Sequence, residues 1–256
     1  MNFLTASHTD VGIRKKTNQD SMCIKVAETK FGQVCMVVVC DGMGGLQKGE
    51  LASATVIRAF SRWFNEDLPR LLQVRDFGMS IIKNAWETLI NKQNELVYRY
   101  GINENIQLGT TLTALLIVND AYLTAQLGDS RAYKIDKELV QLTKDQSVVA
   151  REVSLGHITE EQAKKDSRRN VLLQCLGAAK NIRTEYTSGK IGRNTCFLLC
   201  SDGFVHELDK KEIYGLLSPN LIKNEQDIKN ALTGLVDLNK KRGETDNITA
   251  LCVKAV

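Results

Sequence analysis

Four apolar runs in this chain meet an aspartate at one end, and that recurrence constrains the fold more than any other feature. Three valines and Cys40 lead into Asp41-Gly42-Met43-Gly44-Gly45. The run Tyr122 to Leu127 leads into Gly128-Asp129-Ser130-Arg131, and Phe197 to Cys200 leads into Ser201-Asp202-Gly203. Thr245-Asp246-Asn247 precedes the apolar run from Ile248 to Val253. Burying a carboxylate is costly unless it is paired or bound to metal, so such strands should end at a rim. If they share one antiparallel sandwich, three C-terminal ends and one N-terminal end fall on the same rim. A pocket of acidic oxygens with few neutralising groups suits hard divalent cations such as Mg²⁺ or Mn²⁺.

Taken singly, each motif has a plainer reading. Asp-Gly after a strand is a common turn, because glycine accepts positive φ and aspartate bonds its own backbone. Asp246-Asn247 alone would be an ordinary cap. Their joint occurrence at four strand ends is what points to a site.

The elements around these motifs alternate in blocks. Segments 3–11, 20–27 and 33–40 read as strands, and 49–64 reads as a helix with Ala52, Val56, Ile57, Phe60 and Phe64 on one face. A second helix is predicted over 74–98, with Ile82, Trp86, Leu89 and Leu96 as its stripe. Strands return at 110–118, 121–127, 131–135 and 139–142; helical spacing reappears at 209–217 and 225–241, and the last strand is 247–254. Both prolines, Pro69 and Pro219, stand where helices should stop. Runs of strands interrupted by helical pairs predict an α+β fold with mainly antiparallel sheets. No repeat or linker divides the 256 residues, so a single domain over 1–256 is expected. Residues 145–170 are polar and charged, with a helix start at Thr159, and form a separate small excursion.

Composition narrows the function classes. Hydrophobic content of 43% with 25% charged residues is ordinary for a globular protein, and a net charge of +4 is too mild to call for nucleic acid. Basic clusters at Arg14-Lys15-Lys16, at Lys164 to Arg169 and at Lys240-Lys241-Arg242 are otherwise solvated faces, the first two near the motifs. Seven cysteines in no metal or disulfide spacing, the absence of a signal-length apolar stretch and the absence of a membrane-length run predict a cytoplasmic protein with no membrane partner.

The ordered motifs resemble a known family. Thr9-Asp10-Val11-Gly12-Ile13-Arg14 with Asn18-Gln19-Asp20, then Asp41-Gly42-Met43-Gly44-Gly45, Gly109-Thr110-Thr111, Gly128-Asp129-Ser130-Arg131, Leu142 to Ser147, Arg169-Asn170 with Leu176-Gly177, Ser201-Asp202-Gly203 and Asp246-Asn247 run in the order of the metal-dependent Ser/Thr protein phosphatases. This is the PPM or type 2C family, and the likeness is greatest to its compact bacterial members. The resemblance implies a four-layer α-β-β-α sandwich, with 145–170 as the flap beside the active site. It implies two tightly bound Mn²⁺ or Mg²⁺ ions and a third, weaker one. Asp41 would bridge the two, the Gly42 carbonyl and Asp20 would serve one, Asp202 and Asp246 the other, and Asp129 with Asp202 the third. Asn247 would steady Asp246 from behind.

Two metals about 3.5–4 Å apart would activate one water for in-line attack on phosphorus. Arg14 would clamp the phosphate, since a guanidinium meets two oxygens at once. Arg131, by contrast, is expected to pair with acidic groups structurally. Two positions depart from the family pattern. Met43 stands where animal members carry the histidine thought to protonate the leaving alcohol, so water at the metals takes that part; Gln146 stands where a histidine is common. His8 and His206 are expected at the surface and His157 in the flap, none as a metal ligand. The expected substrates are phosphorylated Ser/Thr proteins supplied by a cognate Ser/Thr kinase, acted on by a monomer. The alternative is a phosphoprotein-binding regulator of the same fold that has lost catalysis.

Overall fold

A computed structural model describes residues 1–43 and 48–256; Gly44 and Gly45 of the Asp41 motif lie outside the described residues. Two five-stranded sheets form the centre, and every strand pairing within them is antiparallel. The first sheet contains β1 (Phe3–Asp10), β6 (Arg131–Ile135), β7 (Leu139–Gln141), β9 (Thr195–Cys200) and β10 (Ile248–Ala255), in the order β1-β10-β9-β6-β7. The second contains β2 (Asp20–Thr29), β3 (Gly32–Asp41), β4 (Leu112–Val118), β5 (Ala121–Leu127) and β8 (Glu185–Lys190), in the order β2-β3-β4-β5-β8.

Alternation along β3 explains the four layers. Cys35, Val37 and Val39 point into the space between the sheets, where they meet Phe197, Leu199, Leu251 and Val253 of the first sheet. Val34, Met36, Val38 and Cys40 point the other way. There they pack under α1 (Gly49–Glu66) and α3 (Met79–Glu104), against Val56, Phe60, Trp63, Ile82 and Trp86. Successive strand side chains face opposite sides, so a strand covered on both faces reads as an unbroken apolar run. On the far side, Leu198, Cys200, Ala250 and Cys252 meet Ile228, Leu232 and Leu235 of α8 (Glu225–Lys241), with Ile213 and Leu217 of α7 (Lys210–Leu217) beside them. Among the described residues, no helix is long and apolar enough to cross a membrane.

The structure moves several expected boundaries. The second long helix starts at Met79 rather than 74, because Gly78 is extended (φ −158°, ψ 167°) and serves as its cap. Its buried stripe runs through Ile82, Trp86, Ile90, Gln93 and Val97, which leaves Leu96 half exposed. Pro69 stands three residues past the end of α1, as expected, and also lies in the first turn of the short α2 (Leu68–Leu71), where a missing N–H costs nothing. Pro219 does follow a helix end, two residues past α7. β8 is an edge strand that the sequence pattern hides. The polar excursion holds α4 (Val148–Ser154) and α5 (Glu160–Lys165), and Thr159 caps α5 reciprocally with Gln162. A further short helix, α6 (Asp202–Val205), follows β9 directly.

Candidate active site

The strand register brings the aspartates to one rim. Asp20 at the start of β2 faces Asp41 at the end of β3, and Leu127 at the end of β5 faces Leu112 at the start of β4. In the other sheet, the start of β10 lies beside the end of β9, where the Ser201 N–H donates to the Thr249 carbonyl (3.0 Å). Ser201 joins the sheets: its hydroxyl donates to Asp20 Oδ2 at 2.8 Å.

Short hydrogen bonds fix each turn. The Thr110 hydroxyl and the Thr111 N–H both donate to the Asp41 carbonyl, each at 2.9 Å, and the Asp41 N–H donates to Thr111 Oγ1 at 2.9 Å. Thr111 Oγ1 also bonds Ser130 Oγ at 2.7 Å, tying the Asp41 end to the turn that carries Asp129. Gly42 is required by close approach: a Cβ there would lie 2.6 Å from the Gln19 carbonyl oxygen and closer still to that of Gly49. The loop between β1 and β2, which ends at Gln19, passes tightly at Gly12 (φ +79°), where a side chain would collide with the Asp246 carbonyl.

Asn247 has a part beyond the expected one. Its side chain accepts from Gln19 N–H (2.9 Å) and donates to the Val11 (2.9 Å) and Thr17 (3.1 Å) carbonyls. It therefore pins the 11–19 loop, while only its backbone N–H reaches Asp246 Oδ1 (2.8 Å). Arg14 sits on that loop, exposed. Its neighbour Lys15 turns inward, with Nζ 2.9 Å from Asp246 Oδ1. Burial alone would lower the Lys15 pKa, but Asp246, Asp41 and Asp202 together raise it.

Arg131 pairs structurally, as expected. Its Nε and Nη2 grip the Asp145 carboxylate (2.6–3.0 Å), and Nη1 donates to the Tyr133 hydroxyl at 3.1 Å. Gln146 gains a positional role that the sequence left open. Its Oε1 accepts from Gly128 N–H (2.8 Å) and its own N–H donates to the Gly128 carbonyl (3.0 Å), which stitches the excursion to the Asp129 turn. Met43 meets the Cys175 thiol, Sδ to Sγ 3.0 Å. His8 bonds Thr233 (2.9 Å) and His157 bonds Glu152 (3.0 Å). His206 is not the surface residue expected: its side chain is 19% exposed and lies between Asp202 and Glu244.

The rim is electrostatically unfavourable on its own. Burial, then repulsion from Asp20, Asp202, Asp129 and Asp246, raises the Asp41 pKa well above the usual carboxylate range. Burial followed by repulsion from Asp202 raises Asp129 likewise, and Asp20 is pushed up to about 7, chiefly by burial. Among the described residues, no three His, Cys, Asp or Glu side chains are gathered into a preformed metal cage. The donor chemistry nonetheless fits divalent ions. The candidate donors are all oxygens, and Asp20 Oδ1 and Asp202 Oδ1 are buried with no hydrogen-bond partner among the described residues.

Comparison with known proteins places the chain in a family. The protein phosphatase 2C family model matches residues 6–247. A putative protein phosphatase 2C-type of Streptococcus pyogenes is 31% identical over 248 residues, covering 96% of this chain and 94% of that protein. The serine/threonine phosphatase Stp1 of Staphylococcus aureus superposes with a TM-score of 0.85 at 26% identity, covering 100% and 96% of the two chains. The catalytic domain of the serine/threonine protein phosphatase PstP, solved with two manganese ions, superposes with a TM-score of 0.79 at 25% identity, covering 99% and 98%. The chain belongs to the protein phosphatase 2C family. It is accordingly a metal-dependent protein serine/threonine phosphatase, with phosphoproteins as substrates.

Proposed function

We propose that the aspartate rim is the catalytic centre and that its residues divide the work as follows. Asp41 would be shared between two divalent cations, Mn²⁺ or Mg²⁺. Asp202 and Asp246 would complete the shell of one, and the Gly42 carbonyl and Asp20 that of the other. Asp129, with Asp202, would hold a third and weaker ion. Bound there, the ions supply acidity to water and neutralise charge on the phosphoryl group. Arg14 orients the phosphoryl group from the exposed loop, which Asn247 holds in place. Lys15 adds positive charge beside it.

One observation carries this reading: Asp20 and Asp202 each commit one oxygen to the protein and keep the other buried without a partner among the described residues. A rim built only for structure would satisfy both. The same reading takes residues 1–256 as one domain, with the 145–170 excursion as its flap, acting as a cytoplasmic monomer opposite a cognate Ser/Thr kinase in signalling. A catalytically silent phosphoprotein binder is not favoured, since every candidate ligand position retains its aspartate. The test is initial rate on a phosphothreonine peptide with Mn²⁺, with Mg²⁺ and with EDTA. Activity should require the metal; full turnover in a metal-stripped sample would overturn the assignment.

A further inference from the structure

His206 and Glu244 have no part in the roles above, yet together they back the site. His206 stands four residues after Asp202, at the C-terminal cap of α6. Its ring lies between two carboxylates, Nε2 at 3.3 Å from Asp202 Oδ2 and Nδ1 at 3.0 Å from Glu244 Oε2. A carboxylate only accepts, so Nδ1 donates to Glu244, while Nε2 stands in contact with Asp202 Oδ2. The other Glu244 oxygen, Oε1, accepts from the backbone N–H of Thr245 (2.6 Å) and of Asp246 (2.8 Å). The base of this assembly is fixed too: Glu244 N–H donates to the Asn239 carbonyl (3.1 Å), and Asn239 Nδ2 donates to the Phe204 carbonyl (2.8 Å), binding α8 to α6.

Placing Glu244, with a side chain 1% exposed, behind a rim of aspartates adds negative charge where it is already in excess. The imidazole separates Glu244 from Asp202, and the pair adds a side-chain link to the β9–β10 pairing that already sets these two segments side by side.

We propose that Glu244 and His206 form a positioning pair that fixes Asp202, after β9, relative to Asp246, before β10. Glu244 holds the Asp246 backbone, and His206 holds Asp202 Oδ2, which leaves Asp202 Oδ1 directed towards a cation. Ser201 treats Asp20 in the same way, holding Oδ2 and leaving Oδ1 without a partner among the described residues. The inference rests on the assignment of Asp202 and Asp246 as metal-binding residues.

The experiment measures Mn²⁺ affinity of the full chain from the electron paramagnetic resonance signal of free Mn²⁺, with Mn²⁺ alone as probe. Wild type is compared with Glu244→Gln, His206→Ala, the double variant and Asp202→Ala. Glu244→Gln is nearly isosteric: its amide oxygen can still accept from Thr245 and Asp246, but its NH₂ faces His206 as a donor. Each single variant should bind Mn²⁺ about tenfold more weakly, in the range for groups that orient metal-binding side chains, and the double variant no more weakly than the worse single. Turnover at saturating Mn²⁺ should recover with the KM for phosphopeptide unchanged, a split that simple loss of stability would not produce. If His206→Ala does not fold, Glu244→Gln carries the test alone. Wild-type Mn²⁺ affinity in Glu244→Gln, alongside loss in Asp202→Ala, overturns the pair and leaves the site assignment standing. Unchanged affinity in Asp202→Ala overturns that assignment, and the pair with it.

Discussion

Thr111 grips Asp41 by both of its backbone groups, its N–H donating to the Asp41 carbonyl and its Oγ1 accepting from the Asp41 N–H, both at 2.9 Å. With Thr110 Oγ1 on the same carbonyl, the last residue of β3 is held by the two threonines of the Gly-Thr-Thr motif. Because Thr111 Oγ1 also bonds Ser130, one hydroxyl couples the Asp41 end of the rim to the Asp129 turn. An aspartate repelled by its neighbours needs such restraint to keep its position.

Replacing Thr111 by Val keeps the shape and removes the hydroxyl, leaving the Asp41 N–H and the Ser130 hydroxyl short of a partner in a buried setting. A loss of about 1–3 kcal/mol in unfolding free energy is expected. Denaturant titration of the metal-free protein measures it, and a change within error would mean that water or a local shift replaces the bond.

The aspartates proposed to bind metal should separate by role. Asp41→Asn should lower turnover to background on every substrate, since Asp41 is assigned to both ions. Asp202→Ala and Asp246→Ala should be nearly as severe. Asp129→Ala should keep two bound Mn²⁺ by calorimetry and retain aryl phosphate hydrolysis, while the phosphopeptide rate falls. Loss of both tight ions in Asp129→Ala would place Asp129 in the inner shell instead.

Arg14 is exposed on the loop pinned by Asn247, a position open to substrate. Arg14→Ala should raise KM with little change in kcat, costing about tenfold or more in kcat/KM if one or two charged hydrogen bonds of about 1.5 kcal/mol are lost. Arg14→Lys should restore part of this, because an ammonium cannot meet two oxygens in one plane. An unchanged KM in Arg14→Ala would return Arg14 to the solvated surface.

How much of this was legible before the structure depends on the range of the interactions. The rim was legible because its signals are local: an apolar run, an aspartate, and a small residue such as Gly42 where backbones nearly touch. β8 was not, since Glu185–Lys190 is an edge strand with no buried residue and no apolar run. The start of α3 was misplaced because apolar spacing continues through Val74 and Phe77, while Gly78 sets the boundary. Asn247 was read as serving its neighbour Asp246, which its N–H does; that its side chain also reaches the 11–19 loop, more than two hundred residues away in sequence, was not legible. His206 and Glu244, 38 positions apart, carry no spacing that marks them as partners. Long-range polar contacts leave no periodicity to read.

The raised carboxylates give the metal-free protein a pH dependence of definite sign. For Asp20, the folded-state pKa of about 7 lies above the ordinary 3.8, so between these values the native state binds more protons than the unfolded state. Unfolding free energy then falls as pH rises through that window. Asp41 and Asp129 are shifted in the same direction and add to the effect. Thermal melts of the metal-free protein should therefore show the melting temperature falling from about pH 4.5 to pH 8. Asp20→Asn, which cannot ionise, should flatten that fall and melt higher than wild type at pH 8. Saturating Mn²⁺ should reverse the order, stabilising wild type by mass action and the variant less, because the variant binds the ion more weakly. A melting temperature that rises steadily from pH 4.5 to 8 without metal would show that the rim carboxylates are already relieved within the protein, and that the oxygens of Asp20 and Asp202 that lack a partner among the described residues have another cause.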